Sequence, residues 1–187
     1  VQNEYLREEN HSRRITDIAD LKPIAPGIER GRNDLYLWRG DITTLRVGAI
    51  VNAANSGMTG CWQPCHACID NCIHTFAGIQ LRAVCASIMQ KQGHEEPTGQ
   101  AKITPAYNLP SRYVIHTVGP IVRQLGTSDI MKLKSCYDEC LALADKNGLQ
   151  SIAFCCISTG EFHFPNDKAA DFPTVCQELF FVFLRFF

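Results

Sequence analysis

A chain of 187 residues is long enough to bury one full hydrophobic core, and its 45% apolar and 20% charged residues are those of an ordinary globular domain. A net charge of −1 argues against a surface that neutralises long nucleic acid, although backbone N–H groups could still hold a single nucleotide. No run reaches the ~18 apolar residues of a membrane span. Ten cysteines, behind a polar N-terminus that lacks a secretory apolar core, point to a cytoplasmic protein with reduced thiols or metal ligands.

In chain order, residues 1–28 read as a polar N-terminal helical extension leading into the Pro/Gly break "APGIERGRN", and residues 29–187 as the main domain. Strand candidates follow at Leu35–Trp38, 49–52, 101–104, Tyr113–Thr117 and 151–157. Each is short, rich in β-branched or aromatic residues and bounded by Gly, Pro, Asn or Asp. A helix over about 69–90 carries Ile69, Ile73, Phe76 and Leu81 on one stripe. Another over 128–146 carries Ile130, Leu133, Tyr137, Leu141 and Leu143. Alternation of this kind implies an α/β domain with a largely parallel sheet. Its ligand would sit beyond the strands' carboxyl ends, where loops 52–68 and 157–165 fall. From about residue 172 the chain is atypical: "FPTVCQELFFVFLRFF" has almost no polar face. It reads as a buried last helix, an interface or an altered end of the reading frame.

The stretch "GCWQPCHACIDNCIH" (60–74) gathers Cys61, Cys65, His66, Cys68, Cys72 and His74. Thiolate and imidazole are zinc ligands, and Cys65-x-x-Cys68 is half of a structural zinc knuckle, but no second half follows. Spacing permits a closed four-ligand site completed by Cys72, and equally an open three-ligand one. Cys136 and Cys140, at i,i+4 on a predicted helix, read as core thiols. In "GAIVNAANS" (48–56) a strand runs into Asn52 and Asn55, whose amides can orient sugar hydroxyls or cap a turn. In "ISTGEFHFP" (157–165) a strand runs into Ser-Thr-Gly, which can present successive N–H groups to phosphate. Asp41 in "WRGDIT" is a candidate adenine or ribose partner, or a helix N-cap.

Taken together, "GDIT", "VGAIVNAANS", "IDNCIHTFAG", "YVIHTVGP" and "ISTGEFHFP" resemble the macrodomain family in order and spacing over about residues 34–170. Where most macrodomains carry a glycine-rich run, this chain has "GCWQPCHACIDN". That resembles the pattern G-C-[FW]-x-P-x-H-x-C-I-D-N of the zinc-containing microbial branch linked to sirtuin-type ADP-ribosyltransferases. The resemblance implies a three-layer α/β/α fold around a mixed, largely parallel central sheet. It also implies Zn2+ on Cys61, His66 and Cys68, with Cys65 and Cys72 left out. By the same resemblance Asp41 would bind the adenine amino group of ADP-ribose with Ile42 beside it. Ser158, Thr159, Gly160, Glu161 and Phe162 would wrap the diphosphate, and Phe162 would pack against the distal ribose. Asn52 and Asn55 would flank that ribose, with Asp70 near its anomeric carbon as a candidate for activating water.

The function so implied is a zinc-dependent protein mono-ADP-ribosylhydrolase that cleaves the side chain–ribose C1″ bond. Its partners would be an ADP-ribosylated protein, with a lipoyl-carrier protein as the branch's expectation, and a functionally linked sirtuin-type transferase. A site with three protein ligands and an open position is catalytic in type. Two thiolates cancel the ion's charge, so positioning of a ribose hydroxyl is favoured over hydroxide generation. The competing reading is an ADP-ribose reader in which zinc only braces the loop. An NAD oxidoreductase is disfavoured, because no GxGxxG follows a strand.

Overall fold

The computed structural model describes residues 1–23, 35–170 and 181–184. It begins with α1 (Gln2–Ser12), β1 (Thr16–Asp17), β2 (Leu35–Trp38), β3 (Leu45–Arg46) and β4 (Ala49–Ala53). Then come α2 (Ile69–Ala77), α3 (Ile79–Gln92), β5 (Ala101–Pro105) and β6 (Tyr113–Thr117). The last elements are α4 (Thr127–Lys146), β7 (Ile152–Cys155), α5 (Asn166–Ala169) and β8 (Phe181–Leu184). Six strands form one sheet in the order β2-β8-β7-β4-β6-β5, while β1 pairs separately with β3. Every pairing in the large sheet is parallel except β5 with β6. The domain is therefore α/β with a mixed, largely parallel sheet, as the alternation of patterns predicts. Strands β4, β6 and β7 are buried at nearly every position, which requires cover on both faces and explains why their apolar residues run consecutively, with Asn52, His116 and Thr117 as buried polar exceptions.

Two expectations need correction. The helical pattern over 69–90 is two helices, α2 and α3, bent by 112° at Gly78. Gly78 adopts φ +93, which a side chain rarely tolerates, and a Cβ there would meet Leu6 Cδ1 at 2.8 Å and Asn108 Nδ2 at 3.0 Å. The break makes room for α1. Leu6 and Asn10 are the buried residues of that helix, and Asn10 Nδ2 donates to the carbonyls of Phe76 (3.1 Å) and Asn108 (2.8 Å). Asn108 in turn donates to the Ala77 carbonyl at 2.8 Å and to Asn3 at 3.0 Å. Secondly, Phe181–Leu184 forms a strand between β2 and β7, not part of a last helix. An apolar run with no polar face suits a strand covered on both sides as well as a buried helix. The break at 25–33 and the rest of 172–187 lie outside the described residues. No single helix among the described residues is long and apolar enough to cross a membrane.

Candidate active site

Parallel pairing of β4 with β6 sets Asn52 directly opposite His116. Asn52 is fully buried, and its Nδ2 lies 2.8 Å from Asp70 Oδ1 and 3.1 Å from His116 Nδ1. Just past the strand, Asn55 Nδ2 donates to Asp70 Oδ2 at 3.1 Å and to the Gly60 carbonyl at 3.1 Å, while its Oδ1 accepts from Gly57 N–H. Both amides thus grip one carboxylate in the first turn of α2. Asp70 is only 5% exposed. Burial pushes its carboxyl above the ordinary range, against the opposing pull of Asn52, the Arg82 charge and Asn55. Asn52 Oδ1 is buried without a partner among the described residues.

The loop between Asn55 and Asp70 brings Cys61, His66 and Cys68 together, with one ligand atom of each within 4.8 Å of the others. Cys61 Sγ stands 3.5 Å from His66 Nδ1. A tetrahedral zinc, with bonds of about 2.3 Å to sulfur and 2.0–2.1 Å to nitrogen, would set those atoms roughly 3.6 Å apart. Donor chemistry and spacing both fit the ion. On its far side, His66 Nε2 faces Glu161 Oε1 at 3.4 Å, the kind of carboxylate that orients a metal-bound imidazole. Cys68 is also the N-cap of α2, its Sγ accepting from Asn71 N–H at 3.4 Å. Burial pushes this thiol up to about 11, the Asn71 N–H pulling it down and Cys61 adding to the rise, and a bound cation would reverse the shift. Cys65 is exposed with φ +57 and stands outside the group. Cys72 also stands outside it, near Asp41 and Arg13.

Gly60, at φ +83, closes the loop's start, and a Cβ there would meet His74 Cγ at 2.7 Å. His74 was only a candidate ligand in the sequence. The structure places it 3.6 Å from Asp70 Oδ1, buried, and burial with the Arg82 charge pulls it down to about 4. It is therefore neutral at pH 7. His74, Cys85 and His116 form a second convergent group. His116 already faces Asn52 with one ring nitrogen and Thr104 Oγ1 with the other, at 2.9 Å. His116 thus braces Asn52 by hydrogen bonding, whereas both ring nitrogens of His74 are buried without a hydrogen-bond partner among the described residues.

The loop after β7 lies across from β6. Ser158 takes φ +65 and His163 φ +57, and the His163 N–H returns to the Gly160 carbonyl at 3.0 Å. Among the described residues the N–H groups of Gly160, Glu161 and Phe162 have no acceptor, and a Cβ on Gly160 would meet nothing within 4 Å. Three consecutive free donors beside open space are suited to an anion. Thr159 turns its hydroxyl back to the Cys156 carbonyl, so it offers the loop shape rather than a side-chain donor. Phe162 is half-buried and fixed through its carbonyl to Val122 N–H at 2.8 Å. Gly119, which follows β6, lets this loop approach: a Cβ there would collide with Ser158 Oγ.

Asp41 lies at the N-cap of a single 3-10 turn, Ile42–Thr44, its Oδ1 accepting from Thr43 N–H at 2.9 Å and Thr43 Oγ1 at 2.7 Å. Its Oδ2 accepts from Arg13 Nη2. Ile42 is fully buried in the core, so anything it offers a ligand comes from its main chain. Arg13 is the residue that sequence reading missed, since no pattern connects it to Asp41.

The Macro domain family profile matches residues 51–172. A Treponema medium protein named "Protein-ADP-ribose hydrolase" is 65% identical over 179 residues, covering 95% of this chain and 67% of its own length. A Staphylococcus aureus protein of the same name is 53% identical over 173 residues, covering 91% and 62%. The chain thus spans about two thirds of these curated relatives. A solved Oceanobacillus iheyensis macrodomain variant with ADPR is 35% identical, with a TM-score of 0.74, over 83% of this chain and 87% of that one. The chain belongs to the Macro domain family.

Proposed function

We propose that this domain is a zinc-dependent protein mono-ADP-ribosylhydrolase that releases ADP-ribose by cleaving the bond between ribose C1″ and a protein side chain. The observation that supports it best is the buried Asp70 carboxylate, held by Asn52 and Asn55 next to the Cys61–His66–Cys68 group. The names of the relatives support the same reading. In this reading Asn52 and Asn55 fix the carboxylate against the distal ribose. Asp70, a stronger base for its burial, accepts the proton of the water that attacks C1″. The free N–H groups of Gly160, Glu161 and Phe162 bind the diphosphate and hold the reacting carbon in place. Zinc on Cys61, His66 and Cys68 would supply a Lewis-acidic open position, near neutral overall, suited to a ribose hydroxyl. The proposed substrate is an ADP-ribosylated acidic side chain, on a lipoyl-carrier protein modified by a sirtuin-type transferase. The "GCWQPCHACIDN" pattern is the support for that narrower choice.

The test is a release assay on a modified protein, with metal analysis, before and after prolonged chelation. ADP-ribose release is expected from the metal-loaded protein and is expected to fall at least about a hundredfold in a chelated protein whose circular dichroism is unchanged. Undiminished release would remove zinc from the mechanism. Calorimetric binding of ADP-ribose with no release from any modified protein would make the domain a reader. A separate expectation concerns the phosphate loop: Gly119→Ala should weaken ADP-ribose binding about tenfold by calorimetry, because a clash of the usual 1–3 kcal/mol must be relieved by moving Ser158.

A further inference from the structure

We infer that Arg13, in the N-terminal segment, is a positioning residue for nucleobase recognition, holding Asp41 so that its carboxylate has one acceptor site left for an exocyclic amino group. The inference rests on the reading of Asp41 as the base contact of ADP-ribose. A carboxylate has about four lone-pair sites. At Asp41, Thr43 N–H and Thr43 Oγ1 take Oδ1, and Arg13 Nη2 takes one site on Oδ2. The remaining site is on Oδ2, in a side chain still 42% exposed. A group that can only accept there welcomes an amino N–H and repels a carbonyl oxygen.

The guanidinium is itself held in place. The same Nη2 donates to Thr43 Oγ1 at 2.9 Å, and that hydroxyl passes its own proton to Asp41 Oδ1, so the triangle has consistent donor directions. Arg13 lies over the Phe76 ring, 3.7 Å from its centroid, and its side chain is 17% exposed. The segment before it is pinned by Asn10 and Leu6, as described above. The N-terminal helix therefore reaches the site through one side chain, 28 residues away in sequence from the carboxylate it orients. Arg rather than Lys is suited to this place, because a planar guanidinium can stack on the ring while Nη2 bonds Asp41 and Thr43 and Nη1 donates to Asn10 Oδ1 at 3.3 Å.

The experiment measures calorimetric affinity of the full chain for ADP-ribose and for its hypoxanthine counterpart, which has an oxo group in place of the amino group. Wild type, Arg13→Met, Arg13→Lys, Asp41→Asn and the Arg13→Met/Asp41→Asn double variant are compared, each checked for folding by circular dichroism. Wild type should prefer the amino base by about tenfold or more. Arg13→Met should lose most of that preference and raise KM about tenfold with kcat unchanged, and the double variant should bind no more weakly than Asp41→Asn. Arg13→Lys, which keeps the charge but loses the stacked guanidinium plane and the Nη1 bond to Asn10, should fall between. It carries the test alone if the Met variant does not fold. A preference retained in a folded Arg13 variant, or additive losses in the double variant, would overturn the inference. If Asp41→Asn also leaves the preference intact, the fault lies in the reading of the base site. Arg13 insensitivity beside Asp41 sensitivity refutes the Arg13 role alone.

Discussion

Cys61→Ala and His66→Ala are each expected to abolish turnover and to lose stoichiometric metal, while Cys65→Ala and Cys72→Ala keep both within about twofold. The distinction is geometric, because all of these residues lie within one short stretch of sequence. The Cys61 and His66 donor atoms face each other at 3.5 Å, and both belong to the one three-ligand group that this loop forms among the described residues. Cys65 is exposed on a left-handed backbone, and the Cys72 thiol is near Asp41 and Arg13 instead. Cys68 is the less informative position to change, because its sulfur also caps α2 and its loss would disturb the helix start. Metal content by mass spectrometry and release of ADP-ribose, measured on the same preparations, read the two effects separately. Loss of folding in all four variants would assign the metal to structure.

Asp70→Asn is expected to lower kcat by about 10²–10⁴ while ADP-ribose still binds. Asparagine fills the same space but cannot take a proton, and Asn52 and Asn55 would then face an amide. The pH profile gives a second readout. Burial raises the Asp70 carboxyl, so the acid limb of kcat should lie above the ordinary carboxylate range in wild type and vanish in the variant. The same shift works against stability. A folded state that holds this proton more tightly than the unfolded chain loses stability as pH rises from about 3.9 through the raised value, and carries that cost at neutral pH. An acid limb at the usual carboxylate position would mean that Asp70 is not the proton acceptor.

Much of the sheet was legible because its central strands are buried on both faces and therefore read as short apolar runs between turn residues. The bend at Gly78 was not, since one glycine inside a helical pattern is usually tolerated; only the contact with Leu6 and Asn108 explains it. Residues 60–74 offered six candidate metal ligands. Which thiols converge depends on the backbone path through Cys65, and spacing carries no information about a φ of +57. His116 sits in a strand motif and looks like any core histidine until pairing places it opposite Asn52. Arg13 and Asp41 were beyond reach for a simpler reason: their contact joins two segments that share no periodicity.

The loop from Ala54 to Cys68 contains no strand or helix, yet it holds the whole Cys61–His66–Cys68 group. Its two ends are fixed independently, by the pairing of β4 with β6 and β7 and by the start of α2. Asn52 and Asp70 belong to those fixed ends. Asn55, which holds Asp70, and Cys68, which caps α2, lie within that loop, so only the residues between them can be exchanged without disturbing the carboxylate. The three candidate ligands are thus carried on a segment without regular structure, and grafting residues 60–68 into another macrodomain, followed by metal analysis, would test whether they form a self-contained metal-binding module.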